Sequence, residues 1–379
     1  MMKNWSLLLF LFALPFNVLA GKFSEPSLRA RHLGHARKLQ SRNNTGSCQP
    51  QPFKLQDFYQ GNSFLNDWEF FSGEDPTHGN VNYQTRENAI NKGLAYVQQD
   101  GAAVLAVDDY STVPVNGRRD SVRIFSKKSY SNGLFIADFF TMPHGCSVWP
   151  AYWSFGPNWP SAGEIDVLEG VHNQLTNQMS LHTSAGCSLP SKLSQTEATS
   201  NILHTECVSS GESNIGCSFS DTDPQSYGHN FNVAGGGVFA HLWDNTGIKI
   251  WRFSRGNIPA DITSKNPNPA SWGVPAANFP SSSCDIASHF FEHNLVINTS
   301  ICGDFAGATY PTSGCPGTCG EAVANATNFQ CVIRFAVMAQ DPAEDARKRG
   351  MRRKSAPKAV IHADAQEFDA KAVHRVGDV

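Results

Sequence analysis

Three acidic side chains within one octapeptide, Gly163-Glu164-Ile165-Asp166-Val167-Leu168-Glu169-Gly170, carry the strongest chemical signal in the chain. Side chains on a β-strand alternate faces, so Glu164 and Asp166 project together while Ile165 and Val167 enter the opposite layer. Glu169 lies five residues from Glu164, and strict alternation would send it to the wrong face. One β-bulge between Asp166 and Glu169 absorbs the extra residue and returns Glu169 to the side of the other two. The Cα atoms of the two glutamates then lie about 13 Å apart. Side chains leaning together leave on the order of 5 Å between carboxyls, the separation that nucleophile and acid/base need in a retaining glycosidase. Two plainer uses compete: a solvated acidic edge strand, or carboxylates at i and i+2 sharing a hard cation such as calcium. A merely solvated strand would place Lys or Thr among mutually repelling acids. Catalysis is therefore the expected use.

The elements that must hold this strand are short and numerous. Charged residues are 17% of the 379, aromatics 11%, with 31 Gly and 21 Pro and no long helical periodicity. That profile suits an all-β domain rich in turns. Alternating runs predict strands at Leu94–Gln98, Val104–Val107, Ser121–Ser126, Gly133–Phe139, Glu164–Leu168, Gln178–His182, Val238–Trp243, Ile248–Phe253 and Asn294–Ile297. Phe53–Gln60 and Ala287–His293 predict short helices or turns, and residues 186–229 a long cysteine-stapled loop at the rim of a cleft. Many short strands without βαβ alternation predict a sandwich, here a jelly roll. Of the tryptophans before the acidic strand, Trp159 and then Trp153 are the expected sugar platforms, because sugar rings expose apolar C–H faces. Trp149 is expected in the core.

The octapeptide resembles the E-x-D-x-x-E signature of glycoside hydrolase family 16, in the bulged form of laminarinases and endo-β-1,3(4)-glucanases. Trp149-Pro-Ala-Tyr-Trp153-Ser-Phe-Gly-Pro-Asn-Trp159-Pro resembles the segment leading into that strand in secreted fungal members, and Met179-Ser-Leu-His182-Thr the next strand. Ser121-Val-Arg123-Ile and Val238-Phe-Ala-His-Leu-Trp243-Asp resemble an early and a late strand, and Cys302-Gly-Asp-Phe305-Ala-Gly the C-G-D-W-A-G turn. The resemblance runs from about Phe53 to Phe329. It implies a concanavalin-like β-jelly-roll sandwich with a concave substrate cleft, Glu164 as nucleophile, Glu169 as acid/base and Asp166 beside the nucleophile. It also implies sugar contacts from His182, Arg123 and Phe305, the last a departure from the usual Trp; Asn82 and its neighbour Tyr83, in the Gly-x-Val-Asn-Tyr stretch, are expected as further subsite residues. Crowding three acids raises at least one pKa, which keeps Glu169 protonated. No cofactor is required; a structural calcium on the convex side is possible by analogy.

Residues 1–20 read as a secretory signal peptide, Lys3 before an apolar run and a small residue at Ala20. All ten cysteines follow it and would enter an oxidising compartment, where disulfides are expected with a connectivity that sequence does not fix. Cys315 and Cys319 are expected in structural disulfides rather than on a metal. Sequons at Asn43, Asn298 and Asn325 fit a glycosylated, secreted, extracellular protein. Residues 21–47 hold six Lys/Arg against one Glu and read as a basic arm or propeptide. The chain's net −3 then leaves −11 on residues 48–339, the catalytic body. An acidic body argues against nucleic acid as a partner, and nothing beyond the leader is apolar for long enough to suggest a membrane.

His289-Phe-Phe-Glu292-His293 matches a zinc-peptidase pattern, but the following residues resume a strand and the match is rejected. After Phe329 the resemblance stops. Cys331–Ala339 alternates like a strand without resembling the family's closing strand, and residues 340–379 read as a charged tail or a gene-model artefact. A lost closing strand would destabilise the fold. The expected activity is a monomeric, secreted retaining endo-β-1,3(4)-glucanase acting on β-glucan. A wall-remodelling transglycosylase and a non-catalytic glucan-binding lectin are the alternatives.

Overall fold

The computed structural model describes residues 53–210, 213–330 and 334–338. The expected signal peptide, basic arm and charged tail lie outside these residues, as do Asn43, Cys48 and Cys331. In chain order the strands are β1 (Trp68–Phe70), β2 (Val81–Tyr83), β3 (Ala95–Val97), β4 (Ala103–Ala106), β5 (Arg119–Ser121), β6 (Arg123–Tyr130), β7 (Gly133–Thr141), β8 (Val148–Phe155) and β9 (Glu164–Glu169). There follow β10 (Gln178–His182), β11 (Asn201–His204), β12 (Cys217–Ser220), β13 (Gly237–Asp244), β14 (Gly247–Ser254), β15 (Ala277–Pro280), β16 (His293–Ile301) and β17 (Arg334–Met338). One sheet runs β1-β6-β16-β8-β9-β10-β12-β11, the other β15-β14-β13-β7-β17-β4-β3, and β2 pairs with β5.

Alternation explains how the two large sheets stack. Inward side chains of the first, such as Tyr152, Ile165, Leu181 and Phe219, are nearly or wholly buried against Phe139, Phe239, Trp243 and Phe279 of the second. Ring pairs cross the interface: Phe139–Tyr152 at 5.5 Å and Phe219–Phe279 at 5.0 Å between centroids. Each sheet thus buries one face on the other. The opposite face of the eight-stranded sheet carries the acidic strand near its middle.

Some expectations change, and the cysteine connectivity that sequence left open is fixed. Within residues 186–229, β11 and β12 extend the eight-stranded sheet beyond β10, because Phe219 supplies the inward apolar side chain that a rim loop would lack. Phe53–Gln60 has no regular structure, and the first turn of 3-10 helix comes at Gly61–Asn66. His289 ends a four-residue helix and His293 opens β16, where its ring bonds Ser154 Oγ and the Ala162 carbonyl, so no metal pair forms. Cys315 and Cys319 bond not to each other but to Cys146 and Cys302; Cys187–Cys284 and Cys207–Cys217 complete the disulfides among the described residues.

The closing strand is present. β17 inserts between β7 and β4, antiparallel to both. Phe335 is wholly buried, 5.4 Å from Phe139 between ring centroids. Truncating it leaves a cavity between the sheets. Phe335→Ala is expected to cost about 3–5 kcal/mol, read as a fall in the urea midpoint at unchanged slope.

Candidate active site

β9 is held on both sides, by β8 and by β10. Both ladders slip at the same place. Opposite β8, Leu168 pairs with Tyr152 and Asp166 with Trp153, which leaves Val167 as the extra residue. Opposite β10, Glu169 pairs with Gln178 and Asp166 with Ser180, three steps against two. Val167 and Leu168 are both turned into the core, at 1% and 0% exposure. Two consecutive inward residues are the mark of a bulge, and Glu169 consequently shares the outer face with Glu164 and Asp166. The bracketing glycines are required by contact. Gly163 has φ +78°, and a Cβ there would sit 2.4 Å from the His289 carbonyl; one on Gly170 would sit 2.6 Å from the Tyr227 ring.

The three acids differ in surroundings. Trp159, 39% exposed, donates its indole N–H to Glu164 Oε2. Asp166 is 2% exposed, and burial, then the charge and hydrogen bond of Glu164, hold its carboxyl well above the usual carboxylate range. His182 Nε2 lies 3.4 Å from Asp166 Oδ2, and its Nδ1 meets Ser209 Oγ at 2.8 Å. Glu169, 8% exposed, accepts from Trp149 Nε1 at 2.9 Å. Its carboxyl is pushed up to about 8, chiefly by burial with the Asp166 charge adding, while His182 and the Trp149 bond pull the other way. At neutral pH the site therefore pairs a protonated carboxyl on Glu169 with a carboxyl on Glu164 that is open to cleft and indole.

Next to β9, the floor continues across the sheet. Trp153 stands opposite Asp166, stacks on Phe155 at 5.2 Å and donates to Asn298 Oδ1 at 2.6 Å. The Arg123 guanidinium lies 5.0 Å from both the Phe71 and Trp153 ring centroids, a cation flanked by two aromatic faces. Phe305 meets Trp149 edge to face at 5.6 Å. Trp149, Trp153, Trp159, His182, Arg123 and Phe305 therefore gather around or beside the acids. Asn82 does not. It bonds Asp120, which also receives Gln84 and Lys92. Tyr83, next on the strand, turns instead to Asn298 and is 3% exposed.

Trp149 is a correction: it is half-buried and faces Glu169 rather than the core. Its parity with Trp153, four residues on, was the available signal. Ser209 was missed because only the Cys207–Cys217 disulfide and the backbone pairing of Thr183 with Cys207 and Ser209 bring it to His182. Asn298 was expected as a glycan acceptor. It is 7% exposed and bonded to Trp153 and Tyr83, so the folded chain offers no amide there for a sugar. Among the described residues, the clusters of three potential metal-binding side chains are Glu164/Asp166/His182 and Cys187/Cys284/His289. Neither is the all-oxygen set that calcium takes, and the two cysteines are spent in a disulfide.

The comparisons agree with this geometry. A family model described as the XgeA-like catalytic GH16 domain matches residues 68–335. The "Probable endo-1,3(4)-beta-glucanase" of Aspergillus fumigatus is 43% identical over 272 residues, 71% of this chain, although the chain spans only 40% of that relative's length. The "Probable glycosidase" of Schizosaccharomyces pombe is 38% identical, covering 74% of this chain and 66% of its own. Laminarinase 16A of Phanerochaete chrysosporium, solved with β-glucans (6-O-glucosyl-laminaritriose) in donor and acceptor sites, superposes with TM-score 0.72 at 38% identity, covering 76% of this chain and 98% of that one. An elongating family 16 β-1,3-glucosyltransferase superposes at 0.70 with 37% identity, covering 75% and 97%. By its bulged acidic strand, its stacked sheets and these matches, the chain belongs to glycoside hydrolase family 16.

Proposed function

We propose that the protein is a secreted, retaining endo-β-1,3(4)-glucanase that cleaves laminarin-like or mixed-linkage β-glucan by double displacement. The observation that carries this reading is the bulge at Val167–Leu168, which sets a protonated Glu169 on one face with Glu164. Glu164 attacks the anomeric carbon while Glu169 protonates the departing glycosidic oxygen; Glu169 then takes a proton from water, which displaces Glu164. Asp166, held well above the usual carboxylate range by burial and by the neighbouring Glu164, keeps its proton and hydrogen-bonds Glu164 through it. Trp153, Trp159, Phe305 and Arg123 supply sugar-stacking faces and a donor, and His182 orients Asp166. The relatives' names support the substrate class. The leader-like residues 1–20 and four disulfides support secretion, and no helix among the described residues is long and apolar enough to cross a membrane. The working unit in this reading is a monomer that uses no cofactor.

A second reading has one specific support. The neighbour described as an elongating β-1,3-glucosyltransferase is 37% identical, so sugar rather than water could complete the second displacement. Product analysis on laminarin and mixed-linkage glucan separates the two: hydrolysis yields only shorter chains, transfer yields chains longer than the donor.

Glu164→Gln is expected to lower kcat on laminarin by more than about a thousandfold; equal activity in variant and parent sinks the assignment. The rate of glycosylation is expected to fall as pH rises through about 8, where Glu169 loses its proton. Trp149→Phe removes a bond that favours the ionised form, so that alkaline limb moves to higher pH in a kcat/KM profile. The same titration bears on stability. The folded carboxyl holds its proton where the unfolded one, near 4.5, has released it, so stability is fully present below 4.5 and declines as pH rises to about 8. Glu169→Gln cannot ionise and is expected to melt above the parent at pH 8 by calorimetry.

A further inference from the structure

A bulge frees backbone groups that a regular ladder would have paired, and buried ones must find partners elsewhere. In β9 these are the Val167 carbonyl and the Glu169 N–H, on either side of Leu168. One side chain takes both. Asn177, immediately before β10 and wholly buried, accepts from the Glu169 N–H through Oδ1 at 3.0 Å and donates through Nδ2 to the Val167 carbonyl at 2.9 Å. Asn177 is itself fixed, its backbone N–H donating to Ser226 Oγ and its carbonyl accepting from the Asp221 N–H, both at 2.9 Å. Among side chains that do not titrate, only a carboxamide offers an acceptor and a donor side by side from one planar group. An ionised aspartate keeps the acceptor and sets a second oxygen against the Val167 carbonyl.

We propose that Asn177 is a positioning residue for proton transfer: by clamping the bulge it fixes where the Glu169 carboxyl stands. The inference rests on the assignment of Glu169 as acid/base. The alternative state of the strand is a regular ladder. A one-residue slip there turns Glu169 to the core face, whereas Glu164 and Asp166, before the bulge, keep their side. Loss of the clamp should therefore impair the acid/base and spare the nucleophile.

The test compares the parent, Asn177→Ala, Asn177→Asp and Glu169→Ala, as full chains, on laminarin and on a dinitrophenyl β-laminaribioside. Dinitrophenolate leaves without a proton, so Glu164 can displace it unaided. The resulting glycosyl ester is then slow to react with water, and azide can take water's place. Its nitrogen bonds to the anomeric carbon, the bond to the Glu164 oxygen breaks, and a β-laminaribiosyl azide and a free carboxylate result, with no proton moved. General acid–base help is worth about 10²–10⁴-fold. Both Asn177 variants are expected to lose at least about thirtyfold in kcat/KM on laminarin, to stay within about threefold of the parent on the aryl glycoside, and to regain kcat with azide, as Glu169→Ala does. An equal loss on both substrates, no response to azide, or laminarin activity within about threefold of the parent overturns the proposal. Should neither Asn177 variant accumulate as folded protein, Ser226→Ala loosens the same clamp from behind, and the same pattern at smaller amplitude is required. A parent that releases no sugar from laminarin defeats the glucanase reading itself, a result distinct from any difference among variants.

Discussion

The bulge at Val167–Leu168 is the constraint on which the rest of the site depends. A strand delivers side chains to one face at every second residue, and that spacing suits a pair of acids two apart. An acid five residues on reaches the same face only if the ladder slips once. Both neighbouring strands slip at that point, so the kink belongs to the sheet and not to a frayed edge. Pairing with β8 on one side and β10 on the other holds the kinked strand in place. Two inward residues in succession, Val167 and Leu168, anchor the kink in the core.

Around that constraint the electrostatics follow from cover. Asp166 and Glu169 are almost wholly buried, and each is raised mainly because burial disfavours its charge. The remaining contacts differ from one acid to the next. Trp149 reaches Glu169, Trp159 reaches Glu164, and His182, backed by Ser209, reaches Asp166. Three chemically similar carboxyls thus acquire different neighbours from three different parts of the chain. Glycosidase chemistry needs such unlike behaviour from like groups.

What was legible in the sequence was mostly local. The octapeptide states its own bulge, because the spacing of Glu164, Asp166 and Glu169 makes sense in no unbroken strand. The strand over Gln178–His182 and the core of β13 and β14 were likewise visible from alternation. Contacts set by distant pairing were not. Ser209 reaches His182 through a disulfide whose partners cannot be told from spacing. Asn82 and Tyr83 diverge because β2 buries Tyr83 and leaves the exposed Asn82 with Asp120, whereas both were expected to line the cleft. β17 shows a middle case: its alternation was plain, but only its fit between β7 and β4 establishes it as the closing strand.

The interior place of Asn298 has a consequence for how the protein is made. Its Asn-Thr-Ser triplet is an acceptor sequence for oligosaccharyltransferase, which acts on chains still emerging and unfolded. On the secretory route proposed here, modification and folding would compete for the same amide. Once β16 has zipped between β6 and β8, the side chain is locked to Trp153 and Tyr83 and out of the enzyme's reach. A chain glycosylated first would carry a branched, hydrated oligosaccharide where the floor of its own cleft must close. On that route, only chains that keep Asn298 bare would complete the pairing of its side chain with Trp153 and Tyr83.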